Sequence, residues 1–229
     1  MLSGCAPVAP PASGMAWYDQ WLKTHVTAAG VVNYKNMKAD EAVLQSLLLE
    51  LASKEPSATV AKNVQLAYWI NLYNAATLQL VLQHYPLKSI REINDGKPWD
   101  LEFITVSGRR YSLNYIENEI LRKRFSEPRI HFAINCAAKS CPKLLNGAFK
   151  PEQLEVQLNT LTTSFINDAS KNKITAGKVE VSEIFNWYAK DFMLRGSVID
   201  FLNGWSATRI APTATIQYLT YDWSLNDTP

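Results

Sequence analysis

The residues Asn63–Tyr85 constrain this chain more than any other stretch. They read N-V-Q-L-A-Y-W-I-N-L-Y-N-A-A-T-L-Q-L-V-L-Q-H-Y and stop at Pro86. On a helical projection their apolar side chains point in nearly every direction, so the segment predicts a central helix buried on most sides. It does not read as a membrane span. Leu66–Leu82 is interrupted by Asn71, Asn74, Thr77 and Gln79, and the chain has no unbroken apolar run of about eighteen residues. Asn71 and Asn74 share a helix face. A buried amide without partners costs about 1–3 kcal/mol, so both must either bond a neighbouring loop's backbone or line a site. Tyr68, Trp69 and Tyr73 are expected in the core around them.

A helix buried on most sides needs other elements to cover it, and the flanking patterns supply them. Helical spacing begins at 16–25 with Trp17, Trp21 and Leu22. A short extended piece at Gly30–Tyr34 precedes a helix over about 38–52, striped by Leu44, Leu47, Leu48 and Leu51. Ser107-Gly108 predicts a hairpin between 103–106 and 109–113, and Gly177 a second between 173–176 and 178–181. Helices are expected over 113–124, from Pro151 to about 169, over 183–194 and over 198–205, with a last strand at 214–221. The fold class is therefore α+β: a small, mainly antiparallel sheet packed against several helices. At 229 residues, 47% of them hydrophobic, the chain can bury a sizeable core. Residues 16–229 are expected to form a single domain.

Two acids break the amphipathic rule. Glu117 falls in the apolar stripe of 113–124, and Asp191 sits between Ile184, Trp187 and Tyr188 on the apolar side of 183–194. Each must be paired or carry a shifted pKa, in a structural ion pair or in a site. The basic residues Arg122-Lys123-Arg124 suit a helix end, where cations offset the dipole. With a net charge of only +2, no nucleic-acid partner is expected.

Residues 128–142, P-R-I-H-F-A-I-N-C-A-A-K-S-C-P, carry two of the chain's three cysteines. Ile130, Phe132, Ala133 and Ile134 predict a buried strand. Strand alternation would put His131 on the face of Asn135 and Cys136 on the opposite one, about 16 Å away along the strand, so His131 is not expected to serve as base for Cys136. Pro142 suits the first position of a short helix, which would set Cys141 near its positive end and lower its pKa. Across the intervening turn Cys136 and Cys141 are candidates for a disulfide, a reactive thiol or inert thiols. His131, Cys136 and Cys141 lack a fourth ligand and the close cysteine pairing usual for zinc, and no phosphate loop or nucleophile elbow is present. No metal or cofactor is expected.

At the amino end, Leu2-Ser3-Gly4-Cys5 resembles the lipobox of bacterial lipoproteins, and the Ala/Pro/Ser-rich Ala6–Gly14 resembles the tether that follows it. The charged and apolar stretches that should precede such a cysteine are not in the sequence. On this reading residues 1–15 are a truncated signal and tether. A lipid on Cys5 would hold the domain in the bacterial periplasm at the outer membrane, an oxidising compartment.

Five blocks together resemble the domain-of-unknown-function family number 547: Ala67–Ala75, Tyr111–Arg122, Pro128–Pro142, Phe185–Phe192 and the ending Y-D-W-S-L-N at Tyr221–Asn226. The resemblance spans about Gly30–Asn226. It implies a portable domain with no assigned activity, and marks Asn71, Asn74, Glu117, His131, Cys136, Cys141, Asp191 and Asp222 as site residues. Two functions are carried forward. The first is a binding or assembly module for an envelope protein or small molecule, with Cys136–Cys141 as a structural bridge. The alternative is a thiol-dependent hydrolase or acyltransferase. There Cys136 would be the nucleophile, Asn135 or Asn71 polarising donors, and Glu117 or Asp191 the orienting acid.

Overall fold

The structure, a computed structural model, describes residues 14–228. The lipobox-like Leu2–Cys5 and most of the tether lie outside the described residues. The expected central helix is α4 (Lys62–His84), with every residue from Leu66 to Leu82 buried except Tyr68. Pro86 stands just beyond its last turn, where it cannot continue the helix. α1 (Gly14–His25), α2 (Tyr34–Ala39) and α3 (Glu41–Ser53) form one side of the fold, with α2 and α3 packed on α4. The expected 38–52 helix is thus preceded by a separate turn of helix, capped by the Asn33 side chain on the Asn36 amide.

The α+β class is borne out. β1 (Glu102–Val106) and β2 (Arg109–Ser112) form an antiparallel hairpin. Its turn residues Ser107 and Gly108 both have positive φ, 49° and 79°, the combination that matches the natural twist of paired strands. β3 (Lys173–Ile174) pairs antiparallel with β4 (Lys178–Ser182), while β5 (Thr215–Leu219) lies parallel to β4. A parallel neighbour needs a crossover, and residues 184–203 provide it as short helices.

Four local expectations need correction. First, 128–136 is not a strand: Pro128–Phe132 is a 3-10 turn, started by Pro128 and capped by the Glu127 carboxylate on the Arg129 amide. Residues 130–135 are all buried, and a run buried on every side has no periodicity from which to tell helix from strand. Second, the expected helix over 113–124 contains a π-helical segment, Ile116–Arg122, between single α turns. Such segments carry an extra residue per turn and gather at functional sites. Third, the expected 183–194 helix breaks at Tyr188 (φ −110°, ψ 24°) into Ile184–Trp187 and Ala189–Phe192. Fourth, no helix follows Pro142, so Cys141 has no helix terminus beside it.

The end of the chain is a structural strap. Residues 221–228 lie between the Gly30–Tyr34 piece and the loop after Cys136. The bonds are Lys139 N–H to Ser224 O (2.8 Å), Asn226 N–H to Ala137 O (3.1 Å), Val32 N–H to Asn226 O (2.9 Å) and Thr228 N–H to Val32 O (2.9 Å). This strap carries Tyr221 and Trp223 to the rim of a cleft.

Candidate functional site

The cleft lies between the π-helical segment, the 131–142 loop, the break at Tyr188 and the strap, and encloses about 400 Å³. That volume is in the range of small-molecule sites, ~300–1,000 Å³. Its walls include Glu117, His131, Cys136 and Cys141, four of the residues named from the sequence.

The loop bearing both cysteines is built by asparagines. Asn74, on α4, donates to Ala133 O (2.9 Å) and accepts from the Asn135 amide (2.9 Å). Asn135 in turn donates to Pro142 O (2.7 Å) and accepts from the Ala137 amide (2.8 Å), tying the two ends of the loop. Asn71 clamps a second loop in the same way, donating to Phe149 O (2.8 Å) and accepting from Phe149 N–H (2.9 Å). All three amides spend their groups on backbone, and none of them lines the cleft. Asp222 is also outside it: its carboxylate holds the Ser224 amide and hydroxyl and stabilises the strap's turn.

Between the cysteines Ala137 adopts φ 60°, a left-handed conformation that costs a non-glycine residue about 1–2 kcal/mol. The resulting turn points the Cys136 amide at Cys141 Sγ (2.8 Å) and sets the two sulfurs 2.7 Å apart. That exceeds the 2.03–2.05 Å of a disulfide. Both thiols are free, and the expected bridge is absent from the structure. The Tyr221 hydroxyl lies 3.2 Å from Cys136 Sγ. Burial, then the neighbouring Cys141, push the Cys136 thiol well above its ordinary value. Burial also works to raise Cys141, but the Cys136 S–H and N–H donating to its sulfur outweigh it and lower the pKa. The pair therefore gives up its first proton from Cys141.

His131, which lines the same cavity, is stacked on Tyr188, with ring centroids 3.9 Å apart, and its Nε2 meets Asp191 Oδ2 at 2.8 Å. The strand alternation that would have set His131 on the face away from Cys136 does not apply, because residues 128–132 form a 3-10 turn. Arg122, in the last turn of the π-helical segment as expected for a helix-end cation, also grips Asp191 with two nitrogens, Nε to Oδ2 at 2.6 Å and Nη2 to Oδ1 at 3.0 Å. Partial burial tends to raise the Asp191 pKa, but the His131 and Arg122 hydrogen bonds prevail and hold the carboxylate ionised well below its usual range. An ionised carboxylate only accepts. Nε2 therefore carries a proton toward Asp191, and Nδ1 has no hydrogen-bond partner among the described residues.

Glu117 receives the Tyr73 hydroxyl at 3.1 Å and forms no salt bridge among the described residues. Burial and the Glu117 charge raise both Tyr73 and Tyr188, so each stays a neutral hydroxyl beside this acid. A chain of bonds also leads outward from Asp191: Arg122 donates to Asn118 (2.6 Å), Asn118 to Asn114, and Asn114 to Asp100 (2.9 Å). It links the histidine to the cleft mouth. The rim is aromatic. Trp223 stands 5.5 Å from Trp99 and 5.8 Å from Trp187, and Tyr221 is 4.9 Å from Trp187.

Sequence reasoning reached the acids and the thiols but missed the roles of Tyr73, Arg122, Tyr188 and the three tryptophans. Tyr73 and Tyr188 resemble core residues at helical spacing. Arg122 and Asp191 are 69 residues apart, so only folding pairs them. Residues 57–166 match the family described as "Protein of unknown function, DUF547", so a domain of that family occupies this part of the chain, from before α4 to the end of the Leu154–Ile166 helix. No curated protein and no solved structure matches the chain.

Proposed function

We propose that the cleft is the active site of a thiol-dependent acyl-transfer or hydrolytic enzyme. The observation that carries this reading is a thiol pair and an Asp191-oriented histidine on the walls of one cavity. A thiolate is the nucleophilic form of cysteine, and a base held in one tautomer by a third group is the recurring support for such a nucleophile. The Cys141 thiolate, or Cys136 after passing its proton to Cys141, attacks the carbonyl carbon of an ester or amide. A C–S bond forms and the C–O or C–N bond breaks. His131, having taken the proton of the Cys141 thiol at Nδ1 as the thiolate formed, returns it to the leaving oxygen or nitrogen. Water or an acceptor hydroxyl or amine then attacks the thioester carbon and loses its proton to His131; a C–O or C–N bond forms, the C–S bond breaks, and the departing thiolate takes the proton back from His131. Glu117, with its two tyrosine hydroxyls, orients the substrate on the opposite side.

Reduced protein treated with p-nitrophenyl acetate is expected to release a burst of p-nitrophenolate and to retain an acetyl group on Cys141 or Cys136, located by peptide mass. His131→Ala should slow that burst by about 10²–10⁴-fold. A binding module with a non-catalytic cleft would show two thiols open to iodoacetamide and no acyl adduct, and that outcome sinks the enzymatic reading.

The same proposal places the domain in the bacterial periplasm, attached to the outer membrane through lipid on Cys5. Its support is the lipobox-like Leu2–Cys5 and the tether-like composition after it. Palmitate incorporation into the cellular protein, lost in Cys5→Ser, is the check. Absence of label in the parent protein rejects the anchor.

A further inference from the structure

We infer that the cleft takes a saccharide bearing an acyl or amide substituent, with the sugar ring at the aromatic rim and the acyl carbonyl inward at the thiols. The inference takes the cleft as the site, in keeping with the acyl-transfer reading, and adds the class of molecule it admits.

The rim is made of Trp99, Trp187, Tyr221 and Trp223. Trp187 is 46% exposed, an unusual position for a large aromatic side chain that has a core to join. The face of an indole carries negative charge from its π system, which suits the weakly positive C–H bonds on one face of a pyranose. Asp100, Asn114, Asn118 and Glu117 line the same cavity. Glu117 and Asp100 are acceptors for ring hydroxyls, and the Asn114 amide, with one N–H on Asp100, has a second N–H to donate. Asp100 uses one carboxylate oxygen on Asn114 and keeps the other without a partner among the described residues.

The walls argue against the other common occupants. A phosphate or carboxylate ligand needs cations, but among the described residues Lys97 is the one lysine or arginine on the cavity wall, and Arg122 is committed to Asp191 and Asn118. A long alkyl chain would leave Glu117, Asn118, Asn114 and Asp100 on the cavity wall against hydrocarbon. A neutral polyol meets both conditions, and its acyl group accounts for thiols and a histidine beyond the sugar subsite.

The test separates binding from chemistry by using the full chain with both Cys136→Ser and Cys141→Ser. Calorimetric titrations would use diacetylchitobiose, cellobiose and octanoate. If the double variant fails to fold, the reduced parent protein is titrated instead. Diacetylchitobiose is expected to bind saturably, cellobiose about tenfold more weakly for want of the amide group, and octanoate not at all. Trp187→Ala should weaken diacetylchitobiose by about tenfold with its circular dichroism unchanged. Saturable octanoate binding without disaccharide binding, no binding by either sugar, or indifference to Trp187→Ala would overturn the inference. Equal binding of the two sugars would overturn the acyl component. Because the serine variant cannot form an acyl-thiol, sugar binding survives even if the acyl-transfer reading fails.

Discussion

The asparagines beneath the cleft and the ionisable groups on its walls are both buried polar sets, and they are bonded differently. Asn71, Asn74 and Asn135 each have a donor and an acceptor saturated by backbone groups. Glu117, His131 and the thiol pair bond mainly to other side chains and keep a face on the cavity. A buried amide whose bonds go to backbone builds structure, whereas a titratable group with an open side can exchange a proton or hold a ligand. Burial of a polar residue alone does not separate the two; the destination of its hydrogen bonds does.

The sharpest test of this contrast is Asn74→Ala, which strands the Asn135 amide and the Ala133 carbonyl in the interior. At about 1–3 kcal/mol for each unsatisfied group, a loss of about 3 kcal/mol is expected from urea unfolding. A loss under about 1 kcal/mol would break the comparison.

Asp191→Asn stands between the two sets, because Asp191 both orients His131 and neutralises Arg122. Its side chain is 22% exposed, so solvent screening reduces the expected loss to about 1–2 kcal/mol, below that of a fully buried pair. The folded-state pKa is depressed, so this stability is present above the unfolded value of about 3.9 and is lost as pH falls through the folded one. The stability gap between parent and variant should therefore be full at neutral pH and close progressively in acid. A gap that widens in acid would contradict the assignment.

For the thiols, the expected effect falls on reactivity. Cys141→Ser removes the group that holds the charge, and iodoacetamide modification at neutral pH should slow by about tenfold, with its pH midpoint moving upward. If Cys136→Ser alone produces that change and Cys141→Ser does not, the charge rests on the other sulfur. The smallest stability effect is expected for Glu117→Gln. The amide oxygen still accepts the Tyr73 hydroxyl, so stability should change by about 0.5 kcal/mol or less while acyl turnover or sugar binding falls. A large destabilisation would move Glu117 into the structural set.

Much of the fold was legible because it follows from local pattern. The all-round hydrophobicity of 63–85 could only be a buried helix, Ser107-Gly108 could only be a tight turn, and acids inside the apolar stripes at 117 and 191 had to find unusual partners. The opening of 128–142 misled because it is buried on every side, so its apolar run carried no period, and the strand parity that separated His131 from Cys136 did not apply.

Sequence by itself determined the α+β class, the central helix, and the short set of side chains whose burial demanded an explanation. Tertiary structure alone decided what each of them does. Arg122 meets Asp191, Tyr73 meets Glu117, and the strap brings Tyr221 to the thiols from 85 residues away. The physical reason is that helix and turn preferences act over a few residues, while a hydrogen bond depends on distance in space. The partners of a buried charge are chosen by chain segments that sequence separation does not order.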